Sequence, residues 1–497
     1  MALPGILASA LSYVSLLLIL YGVLLCIYRT LLHPLQKYPG PFLAKMSDIH
    51  NGYFAMRKCL HLVSKDDHLK YGPVIRHGPN KLLFNTVKAL HDIYDNDMAV
   101  KSYVYSVFVQ TPGVFSLFSV VEKQQHRIKR KIIGEVINER SMRMFEPTMI
   151  KQIDVYLKLL RNSSEGLDSQ PVNMTEMLEF MVKGMYAANH WTNTRMHFFA
   201  LHQMGLSSVM RWLNRSNFGR YRKLLEKMIM ARIAKKDETH DLYSIVSRAN
   251  SEAVSQDDRI QMSEIWSEGI SFFPAGAFST SGALSALFFY LSQSPTCYRK
   301  LANEVRSTFT TGDEIRNGTK LSSCRYLRVC IDEALRVAPP VPGTMWREPS
   351  STNSKSLIVD GYFIPPGTQI GVNIYAIHHN REYFPDPFAF KPERWLPETP
   401  EAQRKMMRDA FSPFSLGYRG CAGKAMAYLE SSLVVAKTLW YFDFHRASGK
   451  LGRLGGGNPG RTDGRDRPDE YQLYDIISGA HDGPFLVFKP RVDVSMI

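Results

Sequence analysis

The residues with the clearest chemistry lie in segment 414–423, which reads FSLGYRGCAG. Its glycines let the backbone turn tightly and approach a flat ligand closely. Arg419 supplies a cation that a carboxylate group of such a ligand can reach. Cys421 opens a helix-like run at 422–429, whose N-terminal dipole and unpaired N–H groups favour a thiolate. The segment therefore predicts a loop that presents a thiolate to a flat ligand.

This segment resembles the haem-binding loop F-x-x-G-x-R-x-C-x-G of the cytochromes P-450 and matches it at every fixed position. A lone cysteine near glycines is ordinarily a buried structural thiol, but five specified positions at fixed spacing indicate the family. The resemblance implies that Cys421 is the axial ligand of haem iron, where a thiolate promotes cleavage of the O–O bond. It also implies that the cofactor is bound by Phe414, Gly417, Arg419 and Gly423.

Two further segments agree with the family in order and spacing. The tetrapeptide EALR at 333–336 matches its E-x-x-R helix, and PERW at 392–395 matches its P-E-R-W element. The i,i+3 spacing places Glu333 and Arg336 on one helix face, which by itself is typical of a solvated surface pair. The resemblance implies instead that Arg394 joins them in a buried network beneath the haem, where loss of one member would leave a buried charge unpaired.

Two more arginines occupy positions that suit the two propionate groups of haem. Arg347 follows the run PPVP at 339–342, where the family often places a propionate-binding arginine. The pentapeptide HRIKR at 126–130 resembles the H-x-x-x-R of the family's C helix, although the tryptophan common there is absent. The resemblance implies a propionate-binding role for Arg130 as well, and a solvated basic helix face stays open as the alternative.

The family's proton-delivery motif is altered in this chain. The motif A-G-x-[D/E]-T sets an acid and a hydroxyl near the iron, and here the segment 275–279 reads AGAFS, followed by Thr280. Phe278 stands at the acid position, where it can neither donate nor accept a proton. Pro274 and the nearby glycine should distort the helix and open backbone carbonyls to water. Ser279 or Thr280 could then assist protonation through water, or be bonded back to the preceding turn as helical hydroxyls commonly are.

The N-terminal segment predicts a membrane anchor. Residues 1–28 carry no charged side chain, and 6–27 are mostly Leu, Val, Ile and Ala, enough to cross about 30 Å of hydrocarbon. Arg29, His33 and Lys37 follow, and basic residues on this flank place the body of the protein in the cytosol. We predict a single-pass protein of the endoplasmic reticulum. A cleaved signal peptide is the rival reading, against which stand the length and the missing basic leader.

A proline-rich hinge at 29–43 follows, and 44–497 is predicted to be one haem domain. The hinge prolines favour a stiff extended segment that fixes how the body sits against the membrane. The resemblance implies the P-450 fold (α+β), mainly α with small β-sheets. The patterns predict helices at 123–144, 152–160 and 302–309, strands at 81–85, 356–358 and 369–374, and a loop at 449–468.

A second uncharged run at 272–291 could be mistaken for another membrane span. Its centre is rich in small and polar residues, which a helix buried inside a large protein explains better than lipid exposure does. A structural membrane protein with two spans stays open as an alternative. The stretch between about 170 and 260 carries no motif, and we expect it to line the substrate pocket.

Composition narrows the partners. Of 497 residues, 45% are hydrophobic and 22% are charged, which is typical of a globular chain with a sizeable core. The net charge of +15 comes from scattered Lys and Arg without a nucleic-acid motif, so we expect an anionic membrane or an acidic redox partner and no nucleic acid. Simple solubility is the remaining explanation. The six cysteines form no CxxC pair, which argues against a disulfide framework or a zinc site.

The resemblance implies a haem-thiolate monooxygenase that holds haem b and oxidises a hydrophobic small molecule with O2. The chain has no flavin or nicotinamide fingerprint, so the electrons should come from NADPH through a separate cytochrome P-450 reductase, with cytochrome b5 as a further electron donor. Microsomal fungal enzymes of secondary metabolism are the most similar, which points by analogy to terpenoid, polyketide or alkaloid intermediates.

Two other functions remain open. Phe278 motivates an electron-independent haem-thiolate isomerase or dehydratase, because relatives of that kind often lose the acid–hydroxyl pair. A non-catalytic haem- or sterol-binding membrane protein would tolerate decay of the thiolate loop, yet that loop and the pair Glu333–Arg336 are intact.

Overall fold

The computed structural model of the chain describes residues 2–137, 139–164, 169–178, 182–205, 215–234, 262–350 and 356–491. This part is mainly α-helical with small sheets, as the sequence predicted. The helices are α1 (Ala2–Ile27), α2 (Phe42–Met46), α3 (Ile49–Met56), α4 (Leu60–Tyr71), α5 (Val87–Tyr94), α6 (Lys123–Val136), α7 (Glu139–Ser164), α8 (Met174–Leu178), α9 (Val182–His197), α10 (Ala200–Gln203), α11 (Arg215–Ala234), α12 (Met262–Gln293), α13 (Pro295–Thr308), α14 (Thr319–Ser323), α15 (Arg325–Val337), α16 (Ile374–His378), α17 (Glu401–Ala410) and α18 (Lys424–Tyr441).

The described strands form one larger sheet and three small ones. They are β1 (Val74–Gly78), β2 (Lys81–Phe84), β3 (Ala99–Lys101), β4 (Val172–Asn173), β5 (Arg347–Pro349), β6 (Ile358–Val359), β7 (Tyr362–Phe363), β8 (Gln369–Val372), β9 (Phe442–Arg446), β10 (Tyr474–Ile476), β11 (Ser478–Ala480) and β12 (Phe485–Pro490). The larger sheet has the order β1-β2-β8-β5-β3, with β2 and β8 parallel. The others are β4-β12-β9 and the hairpins β6-β7 and β10-β11.

Most of the predicted elements are present, with shifted ends. The strands predicted at 81–85 and 369–374 are β2 and β8, whereas the one predicted at 356–358 begins only at Ile358. The single helix predicted over 123–144 is wrong: α6 ends at Val136 because Ile137 leaves the helical region, with φ −119° and ψ 61°. The helices predicted at 152–160 and 302–309 lie in the longer α7 and α13, and α13 ends at Thr308.

The two long apolar helices have opposite surroundings. In α1 and its continuation, the span Leu11–Leu32 has a mean hydropathy of 2.3, and none of it is buried by the rest of the protein. The span Ser263–Gln293 of α12 is 61% buried over its apolar window, and Leu287 and Phe288 lie in the main core. The buried helix predicted at 272–291 is therefore confirmed, and α1 has the exposure of a helix that needs another apolar environment.

The hinge after α1 docks on the tip of the β1–β2 hairpin. A π-helical turn, Tyr28–Leu32, continues α1, and His33 is extended. The stiff extended segment predicted for the hinge is wrong over 34–37, which form turns closed by hydrogen bonds from Gln36 N–H to the His33 carbonyl at 2.8 Å and from Tyr38 N–H to the Leu35 carbonyl at 3.2 Å. The buried guanidinium of Arg76 donates to the carbonyl of Arg29 at 2.7 Å and to the carbonyl of Pro79 at 2.9 Å. A hydrogen bond of 2.9 Å also joins His33 Nε2 to Asn80 Oδ1. These contacts fix the exit of α1 to the sheet.

A buried carboxylate connects α15 to the turn at 392–395. Glu333 accepts from Arg336 Nη2 at 2.9 Å, from Arg394 Nε at 3.0 Å and from Trp395 Nε1 at 2.9 Å. Neither Glu333 nor Arg336 has any exposed surface, and Arg394 is 8% exposed. Arg336 also donates to the carbonyl of His378 at 2.9 Å. The carboxylate is thus fully hydrogen-bonded, which is the condition under which a buried charge is tolerated.

We expect Glu333→Gln to destabilise the folded protein by about 3 kcal/mol or more, because two buried guanidinium groups lose their counter-charge. The change should appear as a lower midpoint of thermal unfolding and a smaller yield of haem-loaded protein. Asp409→Asn is the matched control, since Asp409 forms an exposed i,i+4 pair with Lys405 at 2.8 Å. Equal loss of stability in both variants would contradict the role given to Glu333.

Candidate functional site

A cavity of about 930 Å³ lies between α12 and the N-terminal end of α18. Cys421 and its loop form one wall, and the segment Ala275–Thr280 of α12 contributes to another. The stretch predicted at 170–260 to line the pocket supplies residues 187–189 and Leu225 among others, while 206–214 and 235–261 lie outside the described residues. Apolar and aromatic side chains dominate the lining, as is usual for a small-molecule site.

The loop that carries Cys421 is held by backbone hydrogen bonds. A 3₁₀ turn, Gly417–Arg419, precedes the cysteine, and Cys421 N–H donates to the carbonyl of Phe414 at 2.8 Å. Gly417 has φ +66°, and a Cβ there would lie 2.3 Å from the carbonyl oxygen of Tyr94, so only glycine fits. Helix α18 begins at Lys424 rather than at 422 as predicted, which leaves Cys421 just before the helix.

Opposing effects act on the Cys421 thiol. Burial raises the pKa of the thiol above its ordinary value, and the N–H of Gly423 and the cations of Arg130 and Lys424 offset this rise only in part. The side chain is nevertheless accessible, because it faces the cavity. A thiol that faces an open cavity and has a backbone donor and cations nearby is placed to bind a metal, and binding of the metal would remove its proton.

Several cations meet at one end of the cavity. Arg130, Arg347 and Arg419, all predicted from the sequence, line it together with Lys101 and His126. Arg130 Nη1 donates to the carbonyl of Gly420 at 2.9 Å. Arg347 is 3% exposed and lies over the ring of Tyr94, 5.1 Å from its centroid. So many cations around one cavity require anions to neutralise them.

Arg419 does more than the sequence suggested. Its two terminal nitrogens donate to the carbonyls of Val120 and Val121, each at 2.7 Å. The thiolate loop is thereby fastened to the segment before α6. Its Nε has no hydrogen-bond partner in the described part of the chain, and neither has Nδ1 of the buried His126. Burial, with Arg419 second, lowers the pKa of His126 to about 3, so this ring is neutral at pH 7.

These features fit a haem group. The unpaired nitrogens and cations match two carboxylates, and Cys421 supplies a soft ligand for iron. A Cβ added at Gly276 or Gly423 would meet no atom within 4 Å, so both backbones leave space beside the cavity. Phe414, the first residue of the predicted loop, packs against the ring of Tyr428 at 5.2 Å and borders the same cavity.

The three side chains at 278–280, in the altered segment of α12, have different surroundings. Ser279 and Thr280 line the cavity, and Ser279 Oγ donates to the carbonyl of Ala275 at 2.6 Å, as the back-bonded alternative predicted. Thr280 is 8% exposed. Phe278 points away, is 3% exposed and stacks on Tyr186 at 5.3 Å between ring centroids. Its ring therefore fills a gap between helices and does not face the cavity.

Sequence reasoning missed Lys101 and Glu430. Lys101 belongs to β3, is 6% exposed and lies 4.8 Å from the ring centroid of Tyr105. It is the last residue of this three-residue strand and has no motif around it, so only the pairing of β3 with β5 brings it to the cavity. Glu430 lies on α18, and burial raises its pKa. It is the single carboxylic acid among the described residues that line the cavity.

Comparison with known proteins agrees with this site. A family model described as cytochrome P450 matches residues 170–452. The cytochrome P450 monooxygenase AKT7 of Alternaria alternata is 33% identical, over 93% of this chain and 94% of its own length. The cytochrome P450 monooxygenase poxM of Penicillium oxalicum is also 33% identical, over 97% of this chain and 94% of its own length. The chain belongs to the cytochrome P450 family.

A third relative, the cytochrome P450 monooxygenase apf7 of Gibberella fujikuroi, is 31% identical over 94% of this chain. The likeness extends over nearly the whole sequence. The chain is thus a haem-thiolate P450 of the monooxygenase class and resembles fungal members. The apolar helix α1 fits the membrane anchor of such enzymes.

Removal of one cation should loosen the cofactor of this P450. In Arg130→Gln we expect haem to transfer to apomyoglobin several times faster than in the wild type, because a charge-assisted partner of the cofactor is lost. Arg127→Gln is the control on the same helix, since Arg127 is 59% exposed and faces Asp97. If both variants release haem at the wild-type rate, Arg130 does not bind the cofactor.

Proposed function

We propose that this P450 inserts one oxygen atom from O2 into a hydrophobic small molecule, with electrons supplied by NADPH through a separate reductase. The carrying observation is the large apolar cavity that has Cys421 at its wall. The substrate we propose is a terpenoid, polyketide or alkaloid intermediate of secondary metabolism. The likeness to monooxygenases from three fungi supports this class by analogy.

Each of the predicted site residues has a role in the proposed reaction. Cys421 ligates the iron of haem b, which when bound supplies the activation of O2. Phe414, Gly417 and Gly423 shape the loop that lets the ligand approach closely. The propionates are held by Arg130, Arg347 and Arg419, and also by Lys101 and His126. Glu333, Arg336 and Arg394 hold the core beneath this loop.

Proton delivery falls to hydroxyl groups and water in the absence of the usual acid. Thr280 is one candidate, because it lines the cavity. Ser279 is tied to the carbonyl of Ala275, so it would accept a hydrogen bond from water while it donates to the backbone. Either hydroxyl would act by holding a water molecule that carries the proton.

The orientation follows from the anchor and the charges. Residues 1–28 would span the membrane of the endoplasmic reticulum, 29–43 would form the hinge, and 44–497 would form the cytosolic haem domain. Lys123, Arg127 and Lys131 lie on α6 beside the thiolate loop, and Lys123 Nζ lies 5.9 Å from the ring centroid of Tyr418. This basic face suits an acidic flavoprotein reductase and also cytochrome b5.

One observation favours a second function. Phe278 stands where the family's motif has an acid, and its ring packs against Tyr186. This position therefore supplies no acid to the cavity. An electron-independent isomerase or dehydratase of the same family would need no protons for O2 activation. Such an enzyme would keep the same thiolate loop, so only the demand for electrons separates the two functions.

The function is tested with membranes that contain this P450 and an added NADPH–cytochrome P450 reductase. A panel of terpenoids, polyketides and alkaloids is supplied under ¹⁸O2 and analysed by mass spectrometry. We expect a product that carries one ¹⁸O atom and that forms only with both NADPH and reductase. A product of unchanged composition formed without NADPH would support the isomerase instead.

Loss of the Thr280 hydroxyl should uncouple electron flow from product. In Thr280→Val we expect the ratio of hydrogen peroxide released to NADPH consumed to rise roughly tenfold, because protonation by a positioned group is lost. Ser281→Ala is the control, since Ser281 lies on the same helix and donates to the carbonyl of Phe278 at 3.2 Å. An unchanged ratio in Thr280→Val would remove Thr280 from the proton path.

A further inference from the structure

Glu268 is a buried acid to which the proposed reaction gives no role. It lies on α12, is 6% exposed and is not among the described residues that line the cavity. Burial raises the pKa of its carboxyl, and the N–H of Leu117 and the cation of Lys129 offset this rise in part. Both of its oxygens accept from the N–H of Leu117, each at 2.9 Å. A carboxylate that directs both oxygens to one backbone N–H of a distant segment is placed to hold that segment.

The segment that Glu268 holds, residues 116–121, is closed by its own hydrogen bonds, and we call it the strap. Ser116 N–H donates to Ser119 Oγ at 2.9 Å, and Ser119 N–H donates to Ser116 Oγ at 3.2 Å. The N–H of Val120 donates to the carbonyl of Ser116 at 2.9 Å. Both serines are 1% exposed. Because these bonds cross-link the strap, a shift at one end moves the backbone at the other end.

Two of the cations proposed to bind the haem propionates donate to carbonyls of the strap. Lys101 Nζ donates to the carbonyl of Phe118. The two terminal nitrogens of Arg419 donate to the carbonyls of Val120 and Val121, each at 2.7 Å. An ammonium and a guanidinium carry more N–H groups than these bonds use, so both cations keep donors for a further acceptor. The position of the strap therefore decides where the remaining donors point.

Lys129 fixes the carboxylate of Glu268 from α6. Its Nζ lies 3.3 Å from Glu268 Oε1 and 3.0 Å from Glu264 Oε1. The carboxylate of Glu268 thus joins α12 both to α6 and to the strap that leads into α6. Because Glu268 is buried, water and salt screen this ion pair less than they screen a surface pair.

The charge of Glu268 also acts on a propionate cation. Burial, followed by Arg347 and Arg419, lowers the pKa of Lys101, whereas the carboxylate of Glu268 raises it. The acid therefore favours the charged form of Lys101, which is the form that pairs with a carboxylate.

We propose that Glu268 is a positioning residue for the cofactor, which holds the strap so that Lys101 and Arg419 direct their remaining N–H groups to the haem propionates. This rests on the proposed function in taking these two cations to bind the propionates. Glu268 itself does not touch the cofactor, and its effect reaches the haem through the strap. A residue of α12 that does not line the cavity would thus decide how firmly the haem is held.

The first measurement is hydrogen–deuterium exchange of the strap in the full-length, haem-loaded protein. In Glu268→Ala we expect the backbone amides of the strap to exchange about tenfold faster than in the wild type, because a hydrogen bond to a charged group is lost. Glu268→Gln keeps an oxygen that accepts from Leu117 N–H, so its strap should exchange within about twofold of the wild-type rate. Glu268→Asp keeps the charge but shortens the side chain, and it should behave like Glu268→Ala.

The second measurement is the rate of haem transfer to apomyoglobin. We expect transfer from Glu268→Ala to be about tenfold faster than from the wild type, and transfer from Glu268→Gln to be within about threefold of it. Glu264→Ala is the matched control, because Glu264 lies one turn before Glu268 on α12 and also contacts Lys129. Its transfer rate should stay within about twofold of the wild-type rate, as for a partly exposed ion pair.

A double-variant cycle separates positioning from a general loss of stability. Lys101→Met removes one of the two cations that the strap holds. In this background, Glu268→Ala should accelerate haem transfer by less than about threefold, because part of its route to the haem is already absent. The full tenfold acceleration in both backgrounds would mean that Glu268 does not act through Lys101, and it would contradict the proposal.

The remaining outcomes are distinguishable. Faster exchange of the strap in Glu268→Ala with haem transfer at the wild-type rate would overturn the proposal. Equal acceleration of transfer in Glu268→Ala and Glu264→Ala would also overturn it. If Glu268→Ala does not fold, Glu268→Asp takes its place in each comparison. A folded wild-type protein that acquires no haem Soret band would contradict the proposed haem site rather than the role of the strap.

Discussion

The carboxylate of Glu333 is the contact on which the haem side of this fold depends. It receives hydrogen bonds from two arginines, an indole and a backbone N–H, and it is shielded from water. Through Arg336 the network reaches the carbonyl of His378, whose own Nε2 accepts from the N–H of Ser412 at 3.0 Å. Burial lowers the pKa of His378 to about 3, so its ring is neutral and can accept. The charge of Glu333 on α15 thereby fixes the position of Ser412, which lies just before the thiolate loop.

Near the other end of the loop lie basic side chains that no acidic side chain of the cavity neutralises among the described residues except Glu430. Lys101 and Arg347 are buried and Arg419 is partly buried beside them, and burial followed by the two arginines lowers the pKa of Lys101 well below its usual value. Arg419 ties the thiolate loop to Val120 and Val121, so the cation that we propose as a partner of a propionate also holds the segment that precedes α6. In the proposed site, the carboxylates of haem would neutralise positive charges that the chain alone leaves unpaired, so binding of haem would also stabilise the core.

The sequence predicts those parts of the structure whose functional residues lie close together along the chain. Three segments can be recognised from a short stretch of sequence: the loop at Cys421, the tetrapeptide at 333–336 and the uncharged run before Arg29. The parts it does not predict depend on contacts between distant segments. No motif near Lys101 predicts that β3 places it at the cavity with Arg347 and Arg419. Asn193 and Asp475 form a hydrogen bond only because α9 packs against the C-terminal hairpin. The helix break at Ile137 and the packing of Phe278 on Tyr186 are likewise decided by tertiary context.

The most direct test of the account is the carbon monoxide difference spectrum of the dithionite-reduced protein, compared among wild type, Cys421→Ser and Cys26→Ser. Cys26 lies in the anchor helix, so its replacement controls for loss of a thiol away from the cavity. The account predicts a strongly red-shifted Soret band in wild type and Cys26→Ser and its absence in Cys421→Ser, because only a thiolate ligand produces that shift. A band that persists in Cys421→Ser, or none in folded, haem-loaded wild type, would contradict ligation of the iron by Cys421.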